Sequence, residues 1–196
     1  MMHLPWLALM LAAPFWEAKP PAEWTPGELW RIFSDSPWAQ TASYDSRIGG
    51  ATTVRVYLAT AQPMREAEQQ ARLRGAQRKA APGVFEQEYQ EFLGAQAARH
   101  IVLAVSGWTA EGMSNGEETR QMEKHCLMKA GRNKYRMTGY FPPSPADPYL
   151  RLIFPRVVKD SDKRIVFEIY VPGATPPYRE VFFKVRELSY KGRLEM

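Results

Sequence analysis

Cysteine is almost missing from this chain. A single residue, Cys126, excludes an intramolecular disulfide, so this is no disulfide-stapled module and its stability must come from packing. Histidine is nearly as scarce. Beyond His3 in the apolar opening only His100 and His125 remain, with no HxxxH or CxxC spacing, and a three-histidine or thiolate zinc site fails on count. No EF-hand loop supports a calcium site. "GWTAEGMSNG" is neither a P-loop nor a dinucleotide fingerprint, and no cofactor is expected. Internal repeats and low-complexity tracts are absent, and the apolar opening falls short of the roughly 20 residues a membrane-spanning helix needs.

What is present describes one folded unit. The chain has 196 residues, 45% hydrophobic, 12% aromatic and 24% charged, enough for one domain with a sizeable core. Sixteen prolines and thirteen glycines imply many loops. The net charge of +5 suits contact with anionic envelope polymers, lipid headgroups or nucleic acid. Nucleic acid is disfavoured, because the sequence carries neither a clustered basic element nor a known binding module.

The opening "MMHLPWLALMLAAPFWEA" has an apolar stretch from Trp6 to Ala13 that fits the h-region of a secretory signal peptide. No Lys or Arg precedes it, and Trp16 sits three residues before a cleavage after Ala18. The competing reading is a buried N-terminal segment. Residues 1–18 are expected as a signal peptide, 19–24 ("KPPAEW") as an extended tether because proline disfavours helix, and 25–196 as a single α+β domain.

Within that domain "TPGELWRIF" starts a helix, with Thr25 as N-cap, Pro26 at the first helical position and Glu28 completing a capping box. The alternation of Val54, Val56 and Leu58 predicts a half-buried strand. "QPMREAEQQARLRGAQRKA" predicts a helix with a thin inner face of Met64, Ala67 and Ala71. A second helix follows, with Phe85, Tyr89, Phe92 and Leu93 on one face. "IVLAVSGW" reads as a central strand buried on both sides. "NGEETRQMEKHCLMKAG" reads as a helix stopped at Gly131, and "KYRMTGYF" and "YLRLIFPRV" as strands. "KRIVFEIYV", "REVFFKVREL" and "SYKGRLEM" show two-residue periodicity and suggest an antiparallel meander. The expectation is a largely antiparallel sheet of about six or seven strands, with helices mainly on one face.

Candidate chemistry is thin. His125 and Cys126 are adjacent, so on a helix they point about 100° apart and cannot face each other as base and nucleophile. Cys126 reads as a small core residue. Glu86, Glu88 and Glu91 read as a solvated helix face. The loop "SGWTAEGMSNG", Ser106–Gly116, follows the most buried strand and offers Trp108, Ser114 and Asn115 as candidate binding residues; a simple helix start is the alternative. Arg72, Arg74, Arg78 and Lys79 form a basic helix end that could meet a polyanion or could simply be solvated.

Three fragments, "SPWAQ", "IFPRVV" and the terminal "VFFKVRELSYKGRLEM", resemble in order and spacing a family of uncharacterised secreted proteins of Acidobacteria-like bacteria. Its members carry "SPWA" after a short helix and end in an "FK…M.Y.GKLE" pattern. This chain has "GRLEM" in place of "GKLE". The resemblance implies export and a shared fold, and supplies no activity and no catalytic residue. Its motif residues read as structure. Trp38 would anchor the N-terminal segment, Pro155 would end or bulge an edge strand, Arg156 would pair with an acid, and Lys191–Gly192 would make a tight turn.

Together these readings point to an exported, non-catalytic binding or scaffolding domain of the cell envelope, periplasmic or extracellular, whose partner is an anionic polymer or another envelope protein. Two alternatives stay open: a hydrolase with carboxylates near Ser106–Gly116, and a carrier of a small apolar ligand. Export is checked by intact mass and N-terminal sequencing of the native protein from fractionated cells. A periplasmic or extracellular chain starting near Lys19 is expected; a full-length cytoplasmic chain overturns it.

Overall fold

The computed structural model describes residues 13–45, 51–76, 84–145 and 147–196. Most of the signal-peptide stretch and the candidates Arg78 and Lys79 lie outside the described residues. Six α-helices and eleven strands are present among those described, and all strand pairs are antiparallel. The fold is α+β.

The strands fall into two sheets and one hairpin rather than a single sheet. Strands β1 (Ala39–Asp45), β2 (Ala51–Leu58), β3 (His100–Val105), β6 (Gly139–Phe141) and β7 (Leu150–Pro155) form a five-stranded sheet in the order β1-β2-β3-β7-β6. Strands β4 (Leu127–Ala130), β5 (Asn133–Arg136), β8 (Arg164–Tyr170) and β9 (Tyr178–Lys184) form a four-stranded sheet in the order β5-β4-β8-β9. The last two, β10 (Ser189–Tyr190) and β11 (Arg193–Leu194), pair only with each other.

Side chains alternate between the faces of a strand, so register assigns the layers. Leu58, Leu103 and Leu152 align on one face of the larger sheet. Phe154 shares that face and packs edge-on against Phe167 of β8 at 5.2 Å, with Phe183 of β9 behind it at 6.0 Å. This is the buried seam between the sheets. On the opposite face the row Tyr57–Ala104–Arg151–Phe141 crosses four strands. Three helices, α2 (Pro26–Ser34), α3 (Gln62–Ala76) and α4 (Val84–Gln96), cover it, through Phe33 on Tyr57, Glu68 on Arg151, and Tyr89 and Phe92 on Phe141.

Local sequence explains much of this. The Thr25 hydroxyl accepts from the Glu28 N–H, and the Glu28 carboxylate accepts from the Thr25 N–H, a complete capping box with Pro26 at the first helical position. Strand β3 is buried along nearly all its length, as an unbroken apolar run between two strands requires.

Several segments depart from the sequence expectation. The helix expected to run to Gly131 ends at His125 as α6 (Gly116–His125). Cys126 is extended, and Leu127–Ala130 becomes β4, with Met128 and Ala130 buried and Leu127 and Lys129 half-exposed. Two alternations are too short to outweigh the helical spacing of Met122 and Cys126. Gly131 instead takes φ 58° in the β4–β5 connection. "KYRMTGYF" is split between the sheets, with β5 in one and β6 in the other. β8 and β9 pair as expected, but the third segment of the meander folds into its own hairpin. β1 was not expected, because "AQTASYD" is mostly polar. Ala71, placed on the inner face of α3, is exposed, and Glu68 is buried there beside Met64 and Ala67.

The first described residues are packed rather than free. A short helix, α1 (Phe15–Ala18), sets Phe15 edge-on to Trp24 at 5.8 Å and Trp16 edge-on to Trp38 at 5.9 Å. The stretch expected as a tether holds a 3-10 turn over Pro21–Glu23, and Trp24 is buried. Trp38 is fully buried; its indole N–H donates to the Glu195 carbonyl at 2.9 Å, and Tyr190 stands edge-on to it at 6.2 Å. Trp38 therefore joins the first described residues to the C-terminal hairpin. Replacing Trp38 by Ala is expected to cost about 3–5 kcal/mol, the range for a fully buried large aromatic, in urea unfolding. Trp30→Ala, at a site 62% exposed, is expected to stay within about 0.5 kcal/mol.

Candidate functional site

The row Tyr57–Ala104–Arg151–Phe141 places a charge in the middle of an apolar sheet. Arg151 is 3% exposed, and a guanidinium so deep needs partners on all sides. It has them. Its Nε and Nη2 donate to the two Asp147 carboxylate oxygens at 2.5 and 3.1 Å, and its Nη1 donates to Glu68 Oε1 at 2.8 Å. The flat cation also lies over the Tyr89 ring, 4.0 Å from its centre. Burial alone would lower the pKa of Arg151, but Glu68, the two tyrosines and Asp147 outweigh it and hold the group charged. The small side chain of Ala104, between Tyr57 and Arg151 in register, leaves room for Glu68 to reach both.

Glu68 comes down from α3 and is 5% exposed. Its Oε1 accepts from Arg151 and from the Tyr57 hydroxyl at 2.9 Å. Its Oε2 has no hydrogen-bond partner among the described residues and is ion-paired with Arg72 Nη1 at 3.8 Å, beyond hydrogen-bonding reach. Burial, then the Glu68 charge, push the phenols of Tyr57 and Tyr89 well above their usual range, so both stay neutral.

Above Glu68 a cavity of about 480 Å³ opens between α3 and α4, within the size range of small-molecule sites. Its walls are polar. α3 contributes Gln62, Arg65, Glu66, Glu68, Gln69 and Arg72, and α4 contributes Gln90, Leu93 and Gly94. The Gln90 amide nitrogen is buried and, among the described residues, has no partner. The first turn of α3 is braced by the C-terminal segment. Glu195 accepts from the Gln62 N–H at 3.1 Å, and the Tyr190 hydroxyl donates to Glu66 at 3.0 Å.

The residues singled out from sequence are scattered. Of those that are described, Arg72 alone lines this cavity. Arg74 turns away and donates to the Trp24 carbonyl at 2.5 Å. Trp108 is half-buried, with its indole N–H on the Pro148 carbonyl at 2.8 Å. The Ser114 hydroxyl donates to the Glu111 carbonyl, and Asn115 caps α6 by accepting from the Glu117 N–H. Their loop is packed shut against the β8–β9 connection: a Cβ on Gly112 would lie 2.4 Å from the Pro172 and Gly173 backbone. Pro155 ends β7 opposite His100, but β7 lies between β3 and β6 rather than at the expected edge, and β6 pairs only with Arg151–Ile153, short of the proline. Arg156 donates to the Met196 oxygen at 3.0 Å. Lys191 and Gly192, at φ 49° and 75°, make the two-residue turn of the β10–β11 hairpin. The Cys126 thiol is buried, accepts from the Tyr170 N–H at 3.3 Å, and is pushed up to about 11 by burial.

Sequence reading missed Glu68, Asp147, Arg151 and Gln90. One signal was available: Arg151 is a lone charge inside "YLRLIF", and a charge in a buried strand implies a buried partner. A scan against models of protein families, a search of curated proteins and a search of solved structures each find no match to this chain.

Arg151→Leu would strand two carboxylates under the helices, and it is expected to cost about 3–5 kcal/mol in urea unfolding. Arg151→Leu combined with Glu68→Leu is expected to recover part of that loss. A single-variant cost below about 1 kcal/mol would instead match an exposed ion pair.

Proposed function

We propose that this chain is an exported, non-catalytic domain of the bacterial cell envelope that binds an envelope polymer, with the cavity between α3 and α4 as its contact site. The observation that carries the reading is the polar cavity of about 480 Å³ between α3 and α4, walled by charged and amide side chains that include Arg65 and Arg72. The net charge of +5 supports an anionic polymer, since it raises the local concentration of polyanions. The apolar stretch Trp6–Ala13 and the resemblance to secreted bacterial proteins support the location, while the packing of Phe15 and Trp16 on Trp24 and Trp38 speaks against cleavage as late as Ala18.

The competing readings have less support. A hydrolase would use two acids free to exchange protons with substrate, and here Glu68 and Asp147 are both engaged by one guanidinium. An apolar-ligand carrier would line its cavity with aliphatic and aromatic groups, and Leu93 is the one large apolar side chain among the described residues of these walls.

Co-sedimentation of the full chain with insoluble cell-wall sacculi, at low and high salt, tests the reading. Gly94 borders the cavity, and a Cβ there meets nothing within 4 Å, so Gly94→Leu fills the space without straining α4. Wild type is expected to pellet at both salt levels, and Gly94→Leu to weaken binding about tenfold, the equivalent of one or two lost hydrogen bonds. Equal pelleting of both, lost at high salt, would mean diffuse charge attraction and would overturn the cavity as the site.

A further inference from the structure

We infer that the solvent-facing side of the four-stranded sheet docks on an anionic lipid headgroup surface, through the basic end of that face. This surface is separate from the cavity, which opens between α3 and α4 on the far side of the larger sheet.

Register places the residues. The four-stranded sheet packs on the larger one through the face that carries Met128, Phe167 and Val181, so the alternate residues turn to solvent. Two rows cross that outer face. One is Lys134–Lys129–Val166–Phe182, and the next is Arg136–Leu127–Glu168–Glu180. On the other side of the first row Arg164 stands opposite Lys184. Five cations thus meet two carboxylates on one face, and Lys134, Arg136, Arg164, Lys184 and Phe182 are all exposed.

Three observations point to an anionic surface. The first is opposition of like charges. Like charges directly opposite on neighbouring strands destabilise a sheet, and cations face cations twice here, at Lys129–Lys134 and Arg164–Lys184. Glu168 answers Lys129, and Glu187 answers Lys184 at 3.0 Å. Lys134, Arg136 and Arg164 have no ion-pair partner among the described residues. An anionic surface would supply the missing countercharge. The second is spread. The cations run from β5 to β9, the two edges of the sheet, three strand spacings or about 14 Å apart. One extended polymer strand follows a single line, whereas a layer of headgroups meets the whole patch. The third is Phe182, 43% exposed and one repeat along β9 from Lys184. An apolar ring among cations suits the boundary between headgroups and acyl chains. A single-stranded nucleic acid would need successive rings on which to stack. The next exposed ring on β9, Tyr178, lies beyond Glu180, whose charge repels a phosphate backbone.

Sedimentation of the full chain with two kinds of vesicle tests this docking: phosphatidylcholine alone, and three parts phosphatidylcholine to one part phosphatidylglycerol. A Lys or Arg close to an anionic bilayer is worth about fivefold in affinity, so the three unpaired cations predict a preference of about a hundredfold for the anionic vesicles. Lys134→Gln with Arg164→Gln is expected to weaken that binding about thirtyfold without lowering the urea midpoint, because both sites are exposed and each loses a like-charged neighbour. Arg65→Gln with Arg193→Gln removes the same charge from α3 and the C-terminal hairpin, and is expected to change binding by less than about twofold. Equal binding to both vesicles, as the apolar stretch Trp6–Ala13 alone would give, overturns the docking. Equal weakening by the two double variants assigns the attraction to overall charge and overturns the face. No binding to either vesicle overturns it as well, and a labelled oligothymidylate held through Lys134 and Arg164 instead would make the face a nucleic-acid surface.

Discussion

A guanidinium buried under two helices is the constraint around which this fold is arranged. Arg151 projects from the middle of a sheet whose neighbouring positions are apolar, and it is as buried as the leucines beside it. Removing a charge from water costs several kcal/mol, and only close, well-aligned partners offset that. Each partner comes from a different piece of chain. Glu68 comes from α3, Asp147 from the loop before β7, and the ring of Tyr89 from α4. Satisfying one cation thus fixes where two helices and a loop lie on the sheet. Apolar contacts alone are non-directional, and Met64, Ala67 and Leu93 would tolerate a slide or roll that the ion cluster does not.

The second set of constraints acts at the edge of the same layer. Trp38 receives Trp16 from the N-terminal side and Tyr190 from the C-terminal hairpin, and donates to the Glu195 carbonyl. Tyr190 and Glu195 in turn hold the first turn of α3 through Glu66 and Gln62. The first described segment, the C-terminal hairpin and one wall of the cavity are therefore a single packed unit, and Arg151 fixes the middle of α3 from below. α3 is held at both places, which explains how a helix with so few apolar residues can keep a polar cavity open along its side.

Reading the sequence recovered what depends on neighbours in the chain. The capping box at Thr25, the buried run of β3, the β8–β9 pair and the Lys191–Gly192 turn each rest on a handful of consecutive residues. Losses came where local signals were ambiguous or short. Four residues of alternation at Leu127–Ala130 were outweighed by helical spacing, and β1 carries almost no apolar pattern because it is the edge strand of its sheet. The cavity was hidden for a different reason. Glu68 and Arg151 stand 83 positions apart, and only the register that sets Arg151 beside Ala104 brings them together. The basic helix end and the Trp108 loop drew attention as local clusters. The structure spends Arg74, Trp108, Ser114 and Asn115 on caps and carbonyls, and keeps Arg72 at the cavity.

The two oxygens of Glu68 are held unequally. Oε1 takes two donors, one of them charged, and that bond pair fixes the side chain in the low-dielectric layer where hydrogen bonds are strongest. Oε2 has only the longer ion pair to Arg72, at 3.8 Å. A carboxylate held by that contact alone would be free to turn toward Arg72 and leave the Arg151 guanidinium short of a partner. The Arg151 cluster therefore sets how Glu68 stands between sheet and helix, and the position of α3 follows from it.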